Sequence, residues 1–185
     1  VVILYTITYN ANGGSGAPAA QTKTYGVNLT LSSTRPTRTG YTFLGWSTSS
    51  GATSATYSAG GTFDLNADTT LYAVWQANTY TITYNANGGS GAPAAQSYTY
   101  ATSGTINLSS TRPTRSGYTF LGWSLSSTAT SPSYSAGQAW SRSNASNYTL
   151  YAVWRANNQT LNLTWLTWAT YEYANTPTIS QGGSS

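Results

Sequence analysis

Of 185 residues, 39% are apolar and 14% aromatic, with 16 Tyr and 7 Trp, which is ample for packed cores. Only 5% are charged, against about 25% in an average soluble domain, so Thr, Ser, Asn and Gln must supply the hydrated surface. A net charge of +4 spread over seven basic and three acidic residues makes no dense phosphate-binding patch and argues against nucleic acid, while the lack of His, Cys and Met removes the ligands of the usual metal, haem and thiol sites.

Val1–Leu4, VVIL, is an apolar strand extension ahead of everything that repeats. A first residue of Val, with no signal-peptide pattern, reads as a mature or excised product. In "YTITY", Tyr5, Ile7 and Tyr9 fall on one face and Thr6 and Thr8 on the other, the period of a strand. The loop "NANGGSG" follows, and its turn chemistry predicts positive φ at Gly13, Gly14 and Gly16. Leu29 and Leu31 alternate as another strand. "YTFLGW" starts by alternating Tyr41 and Phe43, then slips to Leu44 and Trp46, so Gly45 marks a bulge or bend. "TLYAVW" puts Leu71, Ala73 and Trp75 on one face and Tyr72 and Val74 on the other; a strand apolar on both sides belongs inside a sheet. No segment shows a capped helical period, so an all-β or mostly β fold is expected.

The same elements then return. "YTITYNANGGSGAPAAQ" at Tyr5–Gln21 recurs letter for letter at Tyr80–Gln96. "LSSTRPTRTGYTFLGWS" at Leu31–Ser47 recurs at Leu108–Ser124 with Thr39 replaced by Ser116, and "TLYAVW" at Thr70–Trp75 recurs at Thr149–Trp154. The offset grows from 75 to 77 to 79, so the second copy has gained residues in two loops. The stretches between the shared blocks have diverged, apart from "YSAG" and an aromatic correspondence of Phe63 with Trp140. The organisation is a 1–4 extension, modules at 5–76 and 80–155, and a 156–185 tail. In that tail "TLNLTW" follows "RANNQ" much as "YTITYN" follows "QANT", so Leu161, Leu163 and Trp165 share the face of a strand without an evident sheet.

The order "YTITYNANGG…TRPTRTGYTFLGWS…TLYAVW" resembles the Listeria–Bacteroides repeat, the B-repeat of internalin-type surface proteins, over most of the chain. The resemblance implies a small β-grasp-like module of extracellular bacterial proteins, often in tandem, with no catalytic residues to carry over. The chain departs from that pattern in its brevity, with neither a leucine-rich region nor a wall-anchoring signal.

Reactive constellations are sparse. Arg35 with Arg38, and Arg112 with Arg115, make either a fork for acidic groups or a pair that stacks on nearby aromatics. "DLNAD" at Asp64–Asp68 has the opening spacing of a calcium loop but lacks its Gly and closing Glu, and reads as a polar turn. Paired carboxylates would have to come from Asp64, Asp68 and Glu172, and no His serves a serine nucleophile. Lys23 and an Asn hold the groups of an isopeptide bond, which normally needs a nearby acid, and the second copy has no Lys. Trp140, Trp165 and Trp168, outside the shared blocks, are either buried or subunit contacts, or else candidate glycan contacts alongside the four arginines. N-x-[ST] triplets at Asn28, Asn107, Asn144, Asn147, Asn158 and Asn162 are candidate glycosylation sites. No run is long enough to span a bilayer as a helix.

The expectation is a non-enzymatic extracellular structural subunit without cofactors or metal. It packs with copies of itself as a filament or surface layer, one chain's strand completing a neighbour's sheet. Candidate donors are Leu161, Leu163, Trp165 and Trp168, then Val1, Val2, Ile3 and Leu4. The alternative readings are an adhesin or carbohydrate-binding module, and an inert spacer from a longer surface protein.

Overall fold

The computed structural model describes residues 1–100, 105–141 and 144–158. Twelve strands and no helix occur among them, an all-β architecture. In the first module they are β1 (Leu4–Asn10), β2 (Gln21–Thr24), β3 (Leu29–Thr30), β4 (Tyr41–Ser47), β5 (Thr62–Phe63) and β6 (Thr69–Ala77). The second repeats the set as β7 (Thr79–Asn85), β8 (Gln96–Thr99), β9 (Thr105–Asn107), β10 (Tyr118–Ser124), β11 (Ala139–Ser141) and β12 (Tyr148–Ala156).

Each module is built on a mixed four-stranded sheet, β2-β1-β6-β4 in the first and β8-β7-β12-β10 in the second. β1 is antiparallel to β2, with Tyr5 opposite Lys23, and parallel to β6, with Tyr9 opposite Leu71. The doubly apolar "TLYAVW" strand is therefore interior, between β1 and β4. Alternation in β1 buries Ile7 and Tyr9 and leaves Thr6 and Thr8 outside. In β4 the register shifts between Phe43 and Gly45, turning Trp46 into the core. A short β3–β5 pair lies beside this sheet in the first module, and β9–β11 in the second.

Trp46 and Trp123 are fully buried, and each is the hub of an aromatic cluster. Tyr9 and Phe43 meet Trp46 edge-on with ring centroids at 4.8 and 5.0 Å; Tyr84 and Phe120 meet Trp123 at 4.9 and 5.1 Å. Such contacts add about 0.5–1.5 kcal/mol each beyond area burial. The modules differ at two core positions. Phe63 is replaced by Trp140, and Lys23 by Tyr98, which bridges instead to the Ser146 carbonyl. Lys23 is 1% exposed, its ammonium donating to Asn66 Oδ1 at 2.7 Å and to the Thr24 carbonyl at 3.3 Å.

Tyr9 and Tyr84 hold the sheet to the adjacent loops. The Tyr9 hydroxyl donates to Gln21 Oε1 and accepts from the Ser32 amide at 3.1 Å; Tyr84 does the same with Gln96 and Ser109. Burial raises both phenol pKa values, the amide bonds pulling weakly the other way. A phenol whose pKa is higher folded than unfolded gives stability that is complete below the unfolded value near 10 and is lost as pH climbs towards the folded one. Unfolding free energy is therefore expected to hold to about pH 9.5 and then fall. The Tyr9→Phe, Tyr84→Phe double variant should flatten that fall; chemical denaturation across alkaline pH checks it.

Candidate interaction surface

The identical loops are tied to the strands around them through Asn10, Asn12 and their own backbone. The Asn10 side-chain oxygen accepts from the Asn12 amide at 2.8 Å. Asn12, at φ +48°, donates through Nδ2 to the Ser50 and Ala73 carbonyls at 2.8 and 3.0 Å. Positive φ falls at Gly13 and Gly16 as expected, but not at Gly14. Gly14 is there for space: a Cβ would lie 2.5 Å from Trp75 Cζ2 and 2.6 Å from the Thr37 carbonyl oxygen. The Trp75 indole donates to the Ala11 carbonyl at 3.0 Å, and Ser15 and Thr37 exchange backbone hydrogen bonds at 2.8 and 2.9 Å. Loop, "TRPTR" segment and Trp75 are thus one unit, repeated at Asn85–Ser90, Thr114 and Trp154.

On that unit Arg38 lies flat over the Tyr41 ring, its guanidinium carbon 3.8 Å from the centroid; Arg115 lies over Tyr118 at the same distance. A partly exposed contact of this kind contributes about 0.5–1 kcal/mol. Stacking therefore occupies Arg38 and Arg115, while Arg35 and Arg112 stand exposed. Trp140 is buried in the second core, between Tyr134 and Tyr148, and offers no ring to a glycan.

The remaining candidates fall as follows. Val1, Val2, Ile3 and Leu4 are exposed. Asp68 Oδ1 accepts from the Thr6 amide at 2.7 Å, and Asn147 Oδ1 holds the equivalent Thr81 amide at 2.9 Å. The "DLNAD" motif is thus a polar tie at a strand start. Asn28, Asn107, Asn144, Asn147 and Asn158 are exposed. Among the described residues no group of three or more acidic side chains stands together to hold a metal. Leu161, Asn162, Leu163, Trp165 and Trp168 lie outside the described residues.

One site was not anticipated from sequence: the joint between modules, centred on Asn78. Its amide donates to the Gly40 carbonyl at 2.9 Å, and its own carbonyl accepts from the Tyr100 amide at 3.0 Å. Thr42 Oγ1 donates to Asn78 Oδ1 at 2.6 Å. The Tyr100 ring then seats on Gly40, where a Cβ would come within 2.1 Å of Cδ1, and meets Tyr41 edge-on at 5.8 Å and 89°. Gly13, Gly14, Thr37, Arg38, Tyr41 and Tyr100 are among the residues that line a cleft of about 850 Å³ beside this contact.

The second module ends in the same hardware. The Asn157 amide donates to the Gly117 carbonyl at 2.9 Å, and Thr119 Oγ1 to Asn157 Oδ1 at 2.6 Å. Nothing among the described residues lies over Gly117, and Gly117, Tyr118 and Asn157 are exposed where Gly40 is buried and Tyr41 and Asn78 are half-buried.

A family described as the Listeria-Bacteroides repeat domain matches residues 5–74 and again 80–153. The chain is 31% identical over 158 residues to a protein of Evansella cellulosilytica named "Putative membrane protein", covering 84% of this chain and 22% of that protein. A second from the same organism, "Putative Gly-rich membrane protein", is 32% identical over 127 residues, covering 66% of this chain and 13% of its own length. The chain thus spans about a fifth or less of these relatives. No solved structure matches it.

The joint makes an asymmetric prediction. Gly40 and Gly117 have φ of +78° and +76°, a region Asn tolerates. Both substitutions share the cost of a side chain at positive φ, but Gly40→Asn also pushes Tyr100 off its seat and should cost about 1–3 kcal/mol more than Gly117→Asn in dilute chain. Denaturant unfolding of both variants measures the difference.

Proposed function

The chain belongs to the Listeria–Bacteroides repeat family, and we propose that it is a structural part of an extracellular bacterial surface assembly, joining neighbouring chains by addition of a β-strand to an open sheet edge. Its role on this reading is mechanical rather than catalytic. The observation that supports it most is the apolar segment at the start of the first module: Val1, Val2, Ile3 and Leu4 are 125, 73, 49 and 57% exposed, and Tyr25, whose amide bonds to the Ile3 carbonyl, is 58% exposed. Exposed apolar side chains on so weakly charged a surface are a place for another chain. β2 lies at a sheet edge, presenting backbone groups that a fifth strand can pair.

Supporting the surface setting are the family and the names of the relatives. The donor favoured by the described residues is Val1–Leu4; the tail strand at Leu161–Trp168 is the second candidate. A spacer role is the specific alternative, favoured by the relatives' far greater length. In a longer polypeptide the same ends would meet flanking repeats instead of other chains.

Electron microscopy of the purified full chain should show filaments or sheets, and these should disappear when residues 1–3 and 159–185 are both deleted. Monomers from the intact chain at every concentration would overturn assembly. Polymers surviving the double deletion would overturn strand addition.

A further inference from the structure

Resting on that assembly reading, we propose a specific contact for it. The Gly117–Tyr118 platform of one chain receives Tyr25 of a second copy, repeating between molecules the seat that Tyr100 takes on Gly40 within one.

The molecule contains its own worked example of this contact. Tyr100 and Tyr25 are equivalent residues at an offset of 75, and their backbones are held alike: the Tyr100 amide bonds to the Asn78 carbonyl at 3.0 Å, the Tyr25 amide to the Ile3 carbonyl at 2.9 Å. Tyr100 is half-buried under the first module, whereas Tyr25 is 58% exposed. On the receiving side, Gly40 with Tyr41 and Arg38 corresponds to Gly117 with Tyr118 and Arg115, the arginine stacked at 3.8 Å in both. A Cβ on Gly40 would strike Tyr100, while one on Gly117 would meet nothing within 4 Å among the described residues. Among those residues the first module thus presents an uncovered plug, and the second a seat like the one that Tyr100 fills.

Plug and seat lie on different modules, so the contact is head-to-tail and leaves each new end free to extend. A literal copy of the inner joint would lay Val1–Ile3 over Arg155–Asn157, because in the inner joint Gln76–Asn78 serve both modules. Val1–Ile3 must therefore turn aside on docking, and the Tyr25 amide passes from the Ile3 carbonyl to the Asn157 carbonyl of the neighbour, the counterpart of the Asn78 carbonyl that Tyr100 uses. That frees three apolar residues to pair with a sheet edge of the neighbour.

The test uses two full-length variants. Tyr25→Ser keeps the seat and loses the plug; Gly117→Asn keeps the plug and fills the seat. By sedimentation velocity, wild-type chain should grow in mass with concentration. Each variant alone should associate about tenfold or more weakly. An equimolar mixture should recover one contact and stop at heterodimers. Tyr118→Ala replaces Gly117→Asn if circular dichroism shows that the latter misfolds. Variants that associate as well as wild type, or a mixture that stays monomeric, overturn the contact. So does Gly117→Asn losing as much stability as Gly40→Asn in dilute chain, because residues 159–185 would then occupy the seat. Filaments persisting in both variants leave polymerisation standing and sink only this joint. Heterodimers in the mixture without wild-type filaments leave the joint standing and sink the strand-added polymer.

Discussion

The second module can rest on the first because residue 40 has no side chain. The Tyr100 ring occupies the place where a Cβ of Gly40 would project, and the backbone of Asn78 ties both sides of that contact. A tyrosine on a glycine buries an aromatic face without asking a neighbour to move, and the adjacent Tyr41 ring meets it edge-on. Arg38, stacked on Tyr41, holds that ring in place while keeping its charge near water. Two small β-modules that would otherwise be beads on a string thereby acquire a defined joint.

The same constraint explains why so inert a sequence is repeated so faithfully. "NANGGSG" is a backbone device: asparagines that ladder the loop to the strand carbonyls, one glycine at positive φ against Arg38, and another cut away to admit Trp75. Most substitutions there would disturb the platform from beneath. The tolerant positions lie elsewhere, as Lys23 and Tyr98, or Phe63 and Trp140, show: equivalent core sites are filled by different chemistry, with local hydrogen bonds adjusted to suit.

Much of the fold was legible because period-2 alternation directly reports which side of a strand is buried. Ile7 and Tyr9 inside, the bulge at Gly45 and the interior position of "TLYAVW" all follow from it. The arginines were legible only as alternatives, since stacking and anion binding use the same residues, and geometry decides for Arg38 and Arg115. Trp140 was likewise legible only as alternatives: lying outside the shared blocks does not expose it, and like its partner Phe63 it is core. The joint was invisible for a different reason. Asn78 and Tyr100 are 22 positions apart, in a linker and a diverging loop, and Gly40 looks like any turn glycine until the ring above it is seen. One signal was available: Tyr25 and Tyr100 sit at the common offset just beyond the identical stretch, where the flanking letters change and the tyrosine does not.

The account stands or falls on whether Tyr100 is held by the first module or merely drawn near it. Backbone amide exchange in the native protein separates these, because Tyr25 and Tyr100 make the same local hydrogen bond and differ in what covers them. With the joint formed, the Tyr100 amide exchanges far more slowly than that of Tyr25 in dilute, unassembled chain. Equal rates at the two positions would contradict it.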